Sequence, residues 1–184
     1  MKKKTTLTLD LDDAMPDFDG YAFLLFGSSS PSYVFVDDLN RLYGLGLTRV
    51  SDIMMNDVQW PLFTYYDALT HLHYYLVERP AGSTSTAWPS GDKMLIVRGE
   101  GADSRADGIH NEFRNAPQPD DPTDLLAAEH YDMLESFLAA FTVTRRIDPT
   151  AEADPTMSRK TQKEQADLAA TLADIVDYID MKRL

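Results

Sequence analysis

The chain has 184 residues, which suits one ordinary domain and is short for two. Its 43% hydrophobic and 10% aromatic content can fill a packed core and argues against disorder. A net charge of −13 opposes binding to phosphate backbones, and the absence of cysteine removes disulfides, thiolate metal sites and cysteine nucleophiles together.

Met1-Lys2-Lys3-Lys4 looks like the charged head of an export signal, but no apolar run of about 7–15 residues follows it. No stretch approaches the roughly 18 apolar residues of a membrane span. The expectation is a cytoplasmic protein with neither nucleic acid nor membrane as partner. Leu7, Leu9 and Leu11 alternate with Thr6, Thr8 and Asp10, and this period of two predicts a half-buried strand over residues 4–11. Its end, Leu9-Asp10-Leu11-Asp12-Asp13, resembles the first motif of haloacid-dehalogenase-like phosphatases. That chemistry needs paired carboxylates after a buried parallel strand, with magnesium between them. Here the strand has a polar face, Ala14 stands where that motif has Thr, and a proline turn follows. An acidic strand end is the simpler reading.

Tyr21 to Phe26 is a continuous apolar run and predicts a strand covered on both faces. Gly27-Ser28-Ser29-Ser30-Pro31 then opens a helix, with Ser30 as the expected N-cap and Pro31 as its first residue. Phe35, Val36, Leu39, Leu42 and Tyr43 follow at helical spacing, and Gly44 or Gly46 ends the helix. A strand that meets a helix N-terminus offers free N–H groups, so Ser28, Ser29 and Ser30 are the candidate ligand-binding residues. The turn lacks the lysine of a phosphate loop, the GxGxxG spacing and the GxSxG setting. Capping accounts for its serines without a ligand.

A short strand is expected between Leu47 and Ile53. Leu62 to Tyr66 and His71 to Glu78 predict two strands joined by a turn over Asp67 to Thr70, rich in aromatics that suit a pleated surface. His71 and His73 would share a strand face, yet a metal site needs a further ligand and no cysteine exists, so no metal is expected. Pro80 to Asp92 reads as a loop, and Lys93 to Arg98 as a strand. Trp60 and Trp88, beside prolines, suit pieces of core more than interface anchors.

Gly99 to Thr123, with several glycines, prolines and acids, reads as a long loop. Its stretch from Gly99 to Gly108 mimics a calcium loop without the alternating ligands or closing glutamate. Asp124 to Phe141 predicts an amphipathic helix with Leu126, Met133, Leu134, Phe137, Leu138 and Phe141 on one side. Thr142 to Ile147 predicts a strand, and Asp148 to Met157 a linker. The last helix is expected to start at a capping box, Thr161-Gln162-Lys163-Glu164, and carries Leu168, Leu172, Ile175, Val176 and Ile179 on one face. Lys182 and Arg183 complement its dipole.

Together these elements imply an α+β fold, a largely antiparallel sheet with helices packed on one face, plus the C-terminal helix. The division is residues 1–148 as one α+β domain and 149–184 as linker and amphipathic helix. No set of acid, base and nucleophile converges, so no catalytic residue and no cofactor are assigned and a non-catalytic reading is favoured over an enzyme. A protein-interaction or adaptor role is expected, with a protein partner or a homo-oligomer formed through the apolar C-terminal face. The alternative is a small-anion or small-molecule binder, or an enzyme, using the Gly27–Ser30 turn.

Several blocks resemble the IPExxVDY family of small bacterial proteins, which has no assigned activity. They are Tyr21 to Ser29, Leu39 to Leu45, Phe63 to Asp67, Tyr74 to Val77 and Asp92 to Gly99, within a resemblance spanning about residues 4–148. The slot of the name-giving motif reads Ala87-Trp88-Pro89-Ser90-Gly91-Asp92-Lys93, where the proline and one aspartate match. The resemblance implies an α+β fold and a bacterial cytosolic setting, and it carries no functional residues.

Overall fold

The structure, a computed structural model, describes residues 17–28, 30–85, 87–115, 124–140, 143–151 and 154–184. The strand expected over residues 4–11, the Leu9–Asp13 motif, Ser29 and Phe141 lie outside the described residues. In chain order the elements are β1 (Tyr21–Gly27), α1 (Ser32–Tyr43), β2 (Thr48–Arg49), β3 (Ile53–Met55), β4 (Val58–Trp60), β5 (Leu62–Asp67), β6 (Leu72–Glu78), β7 (Lys93–Arg98), α2 (Ala102–Asn115), α3 (Leu125–Ala140), β8 (Val143–Ile147) and α4 (Arg159–Lys182).

Six strands form one sheet in the order β2-β5-β6-β7-β1-β8, and every pairing in it is antiparallel. The fold is therefore α+β. β3 and β4 form a separate hairpin, whose turn residues Asn56 and Asp57 both have positive φ (51° and 60°), as the tight turn of a two-residue hairpin requires.

Alternation sends each strand's side chains to two cores. Ala22, Leu24 and Phe26 of β1, with Leu95 and Val97 of β7, pack under α1, α2 and α3. A phenylalanine from each of four elements meets there: Phe26, Phe35, Phe113 and Phe137, with ring centroids 5.1–5.4 Å apart. Phe23 and Leu25 of β1, Tyr75 and Val77 of β6, and Met94 and Ile96 of β7 face the other way, against Leu168, Leu172, Ile175, Val176 and Ile179 of α4. So both faces of the sheet carry helices, three on one and α4 on the other. The apolar runs of β1, β6 and β7 require that double cover, because each buries side chains on both sides.

Four local expectations are corrected. Residues 102–115 form α2 rather than a loop, because Ala102, Ala106, Ile109 and Phe113 recur on one buried stripe. The cap of α1 is Pro31, with no side-chain cap bond, since Ser30 lies one residue too early. α4 begins at Ser158, whose Oγ accepts the Thr161 N–H, so Thr161 sits inside the first turn instead of capping it. Leu126 is exposed rather than on the buried side of α3. Gly44 does close α1, at φ 61°, with its N–H donating to the Asn40 carbonyl.

Candidate functional site

A cleft of about 1450 Å³ opens on the α4 side of the sheet, where β1 ends and α4 begins. Its floor is Leu25 and Gly27 of β1, its rims are the 87–92 loop and the strand β8 with the turn after it, and its roof is residues 161–169 of α4. Register puts Arg145 opposite Leu25 and Ile147 opposite Phe23, so both belong to the cleft face. Arg146 alternates to the other face, where Asp103 and Asp107 of α2 each hold its guanidinium at 2.7 Å. The cleft is larger than the roughly 300–1000 Å³ of a typical small-molecule site, and one of its walls is the outermost described strand.

Its inner end is organised by two buried cations. Lys93 has no solvent access; its Nζ donates to the carbonyls of Ser30 (2.9 Å) and Gly91 (3.0 Å) and lies 3.9 Å from Glu78. Burial holds its pKa below the usual lysine value, with Glu78 and Asp92 opposing that shift. Arg79, also buried, donates to the Ser83 hydroxyl and to the carbonyls of Ser83 and Trp88, and so fixes the loop that rims the cleft. Trp88 stacks edge-on against Trp60 at 5.3 Å and its Nε1 donates to the Asp92 carbonyl. Both tryptophans are thus core, as expected. Glu78 and Asp92 line the cleft, and burial raises both carboxyls above their ordinary range.

Ser28 and Ser30 line this cleft as well. Ser28 is buried, its Oγ accepts the Ser30 N–H at 3.0 Å, and its own backbone N–H is donated to Asp92. Both of these N–H groups are thus engaged within the protein, one by the Asp92 carboxylate and one by the Ser28 hydroxyl. At the roof, the side-chain Oε1 of Gln165 is buried and has no hydrogen-bond partner among the described residues.

The other sequence-derived candidates sit elsewhere. His71 lies in the β5–β6 turn at φ 58° and shares a hydrogen bond with the Tyr66 hydroxyl at 2.8 Å. His73 stands on β6 with its ring 4.5 Å from that of Tyr66. Among the described residues no three His, Asp or Glu side chains are grouped to hold a metal ion. At the far end of α4, Asp180 accepts the Tyr21 hydroxyl (2.7 Å) and pairs with Arg98 (2.9 Å), while the Tyr75 hydroxyl donates to the Leu184 carbonyl. This clasp fastens the end of α4 that is remote from the cleft. Lys93, Arg79 and Gln165 went unread in the sequence; the one available signal was a lysine opening an otherwise apolar strand.

No protein-family model and no curated protein matches the chain. The resemblance to the IPExxVDY family therefore rests on the sequence blocks alone. No helix among the described residues is long and apolar enough to cross a membrane.

Proposed function

We propose that this is a non-catalytic protein-interaction protein whose docking site is the cleft between β8 and the first turns of α4. One observation carries the reading: a cleft of about 1450 Å³ lies alongside the outermost described strand of the sheet. An outer strand offers backbone donors and acceptors to an added segment, and a flanking cleft can take alternate side chains. The polar groups inside it are spent on structure. The Ser28 hydroxyl is engaged by Ser30, and the Lys93 ammonium by two carbonyls and Glu78. None of these is poised as a nucleophile beside a base.

A small-anion role for the Gly27–Ser30 turn has less support. The Asp92 carboxylate already takes the Ser28 N–H, and a second anion there would meet that carboxylate and Glu78. The test is native mass spectrometry on the tagged protein purified gently from its own host, beside an Ala169→Trp variant that fills the cleft roof. A protein partner retained by the wild type and lost from the variant is the expected result. A small added mass common to both would favour the ligand-binding alternative, and a partner held equally by both would refute the cleft as docking site.

A further inference from the structure

We propose that the first occupant of the cleft is the chain's own N-terminal stretch: residues 4–11 add as a strand beside β8 and lay Leu7, Leu9 and Leu11 over the cleft, so that a partner has to displace them. The placement stands independently of the docking reading above. The displacement rests on that reading and names how the site is regulated.

Position, pattern and edge carry the inference. The described chain enters the fold on the cleft face: Phe18 is buried with its ring 5.6 Å from that of Phe23, Phe23 pairs with Ile147, and Ile147 lines the cleft. Residues 12–17, extended, reach roughly 20 Å. The place outside β8 lies two strand spacings from β1, about 10 Å. A strand arriving by that link ends near Ile147 and runs parallel to β8. The stretch alternates Leu7, Leu9 and Leu11 with Thr6, Thr8 and Asp10. Its leucines match the apolar part of the cleft, made by Leu25, Ile147, Leu168 and Ala169, and its polar side then shares the face of Arg146. β8, outermost of the described strands, supplies the backbone groups that an added strand pairs with. At the roof, the buried Oε1 of Gln165, unpartnered among the described residues, calls for an N–H donor from an added segment.

Other occupants fit less well. Charge selects none of them: Lys93 stands 3.9 Å from Glu78, Lys93 and Arg79 both act on Asp92, and Lys160 reaches Glu164 at 3.9 Å. A second copy paired along the whole of β8 by a two-fold axis sets the Arg145 residues of the two chains opposite each other, a like-charge contact. The N-terminal stretch brings no arginine to the edge. It is also tethered, which raises its effective concentration there above that of a separate chain.

The chain has no cysteine, so an introduced pair reports a single contact. Neighbouring strands bring Cα atoms within disulfide range. Leu7→Cys, Leu9→Cys and Leu11→Cys are each combined with Arg145→Cys in the full chain and oxidised at low protein concentration. Leu9→Cys with Glu129→Cys, on α3 across the sheet, is the control. At least one leucine pair should close within the monomer at least about tenfold faster than the control. A fluorescent peptide of residues 4–11 should bind the Leu7→Asp, Leu9→Asp double variant, whose own stretch is disabled, at least about tenfold more tightly than the wild type. No cross-link, or one formed only between two chains, overturns the self-occupancy, and so does equal binding of the peptide to both proteins. A cross-link within the monomer with no peptide binding to either protein overturns the displacement while the placement stands. The docking reading fails separately, when Ala169→Trp holds the partner retained on purification as well as the wild type does; the cross-link does not depend on that result.

Discussion

Lys93 shows how a buried charge becomes a structural bolt. Its ammonium joins the carbonyl before α1 to the loop before β7 and stands 5.5 Å from the Phe35 ring centroid. Lys93→Ala removes those donors and leaves Glu78 without its partner, so it should cost about 3 kcal/mol, and Lys93→Met, which keeps the volume, should cost less. Denaturant unfolding of the two variants checks the order. Glu78 and Asp92 give a pH test. A carboxyl whose folded pKa is raised favours the folded state while protonated, below its unfolded value, and loses that advantage as the pH rises through the raised value. From roughly pH 4 upward, Glu78→Gln and Asp92→Asn should therefore each flatten the fall in stability that these groups cause; an unchanged pH profile would contradict the assignment. Gly99 is the backbone counterpart: at φ 128°, a Cβ would lie 3.0 Å from the His71 carbonyl oxygen. Gly99→Ala should lower the thermal midpoint more than Gly44→Ala, where φ is 61° and the space is open. The roles of Lys93, Glu78, Asp92 and Gly99 were not legible in the sequence, because a residue announces neither its burial nor the atoms that surround it.

At the scale of elements, legibility followed the strength of the apolar period. β1, β5, β6, β7 and α1 fall close to where their runs and spacings place them, with Gly44 closing α1 as its position implied. α2 was hidden because its buried stripe is made partly of Ala102 and Ala106, which hardly register as apolar, and because Gly99, Gly101 and Gly108 suggest a loop. Gly99 and Gly101 in fact have positive φ just before the helix, so they shape its approach. α4 was read correctly as an amphipathic helix, but a sequence cannot say against what an apolar face packs. The sheet supplies that partner. Leu172→Ala and Ile175→Ala, at positions with no exposed surface, should each cost about 2–5 kcal/mol. Asp180→Asn, at a half-exposed clasp, should cost no more than about 1 kcal/mol. Equal losses at the two kinds of site would mean that α4 does not dock through its apolar stripe.

For the whole molecule, the two helical layers leave one end of the sheet's α4 face open among the described residues. α4 starts late along that face, and its far end is clasped by Asp180 and Leu184, so the gap falls between its first turns and β8. The strand–helix turn at Ser28 and Ser30 lines this gap. The turn matters as a wall of a cleft whose other wall, α4, comes from more than a hundred residues later in the chain. No local motif could reveal that closure. The concave surface is assembled from strand ends, a loop and a helix roof.

The most direct test is amide hydrogen exchange of the full chain with and without the protein partner that the wild type retains on gentle purification. Docking in the cleft requires slower exchange in residues 143–151 and 161–169, with α3 on the opposite face unchanged. Protection confined to α3 or to the β5–β6 turn, or no protection anywhere, would contradict the proposal that the cleft is a docking site.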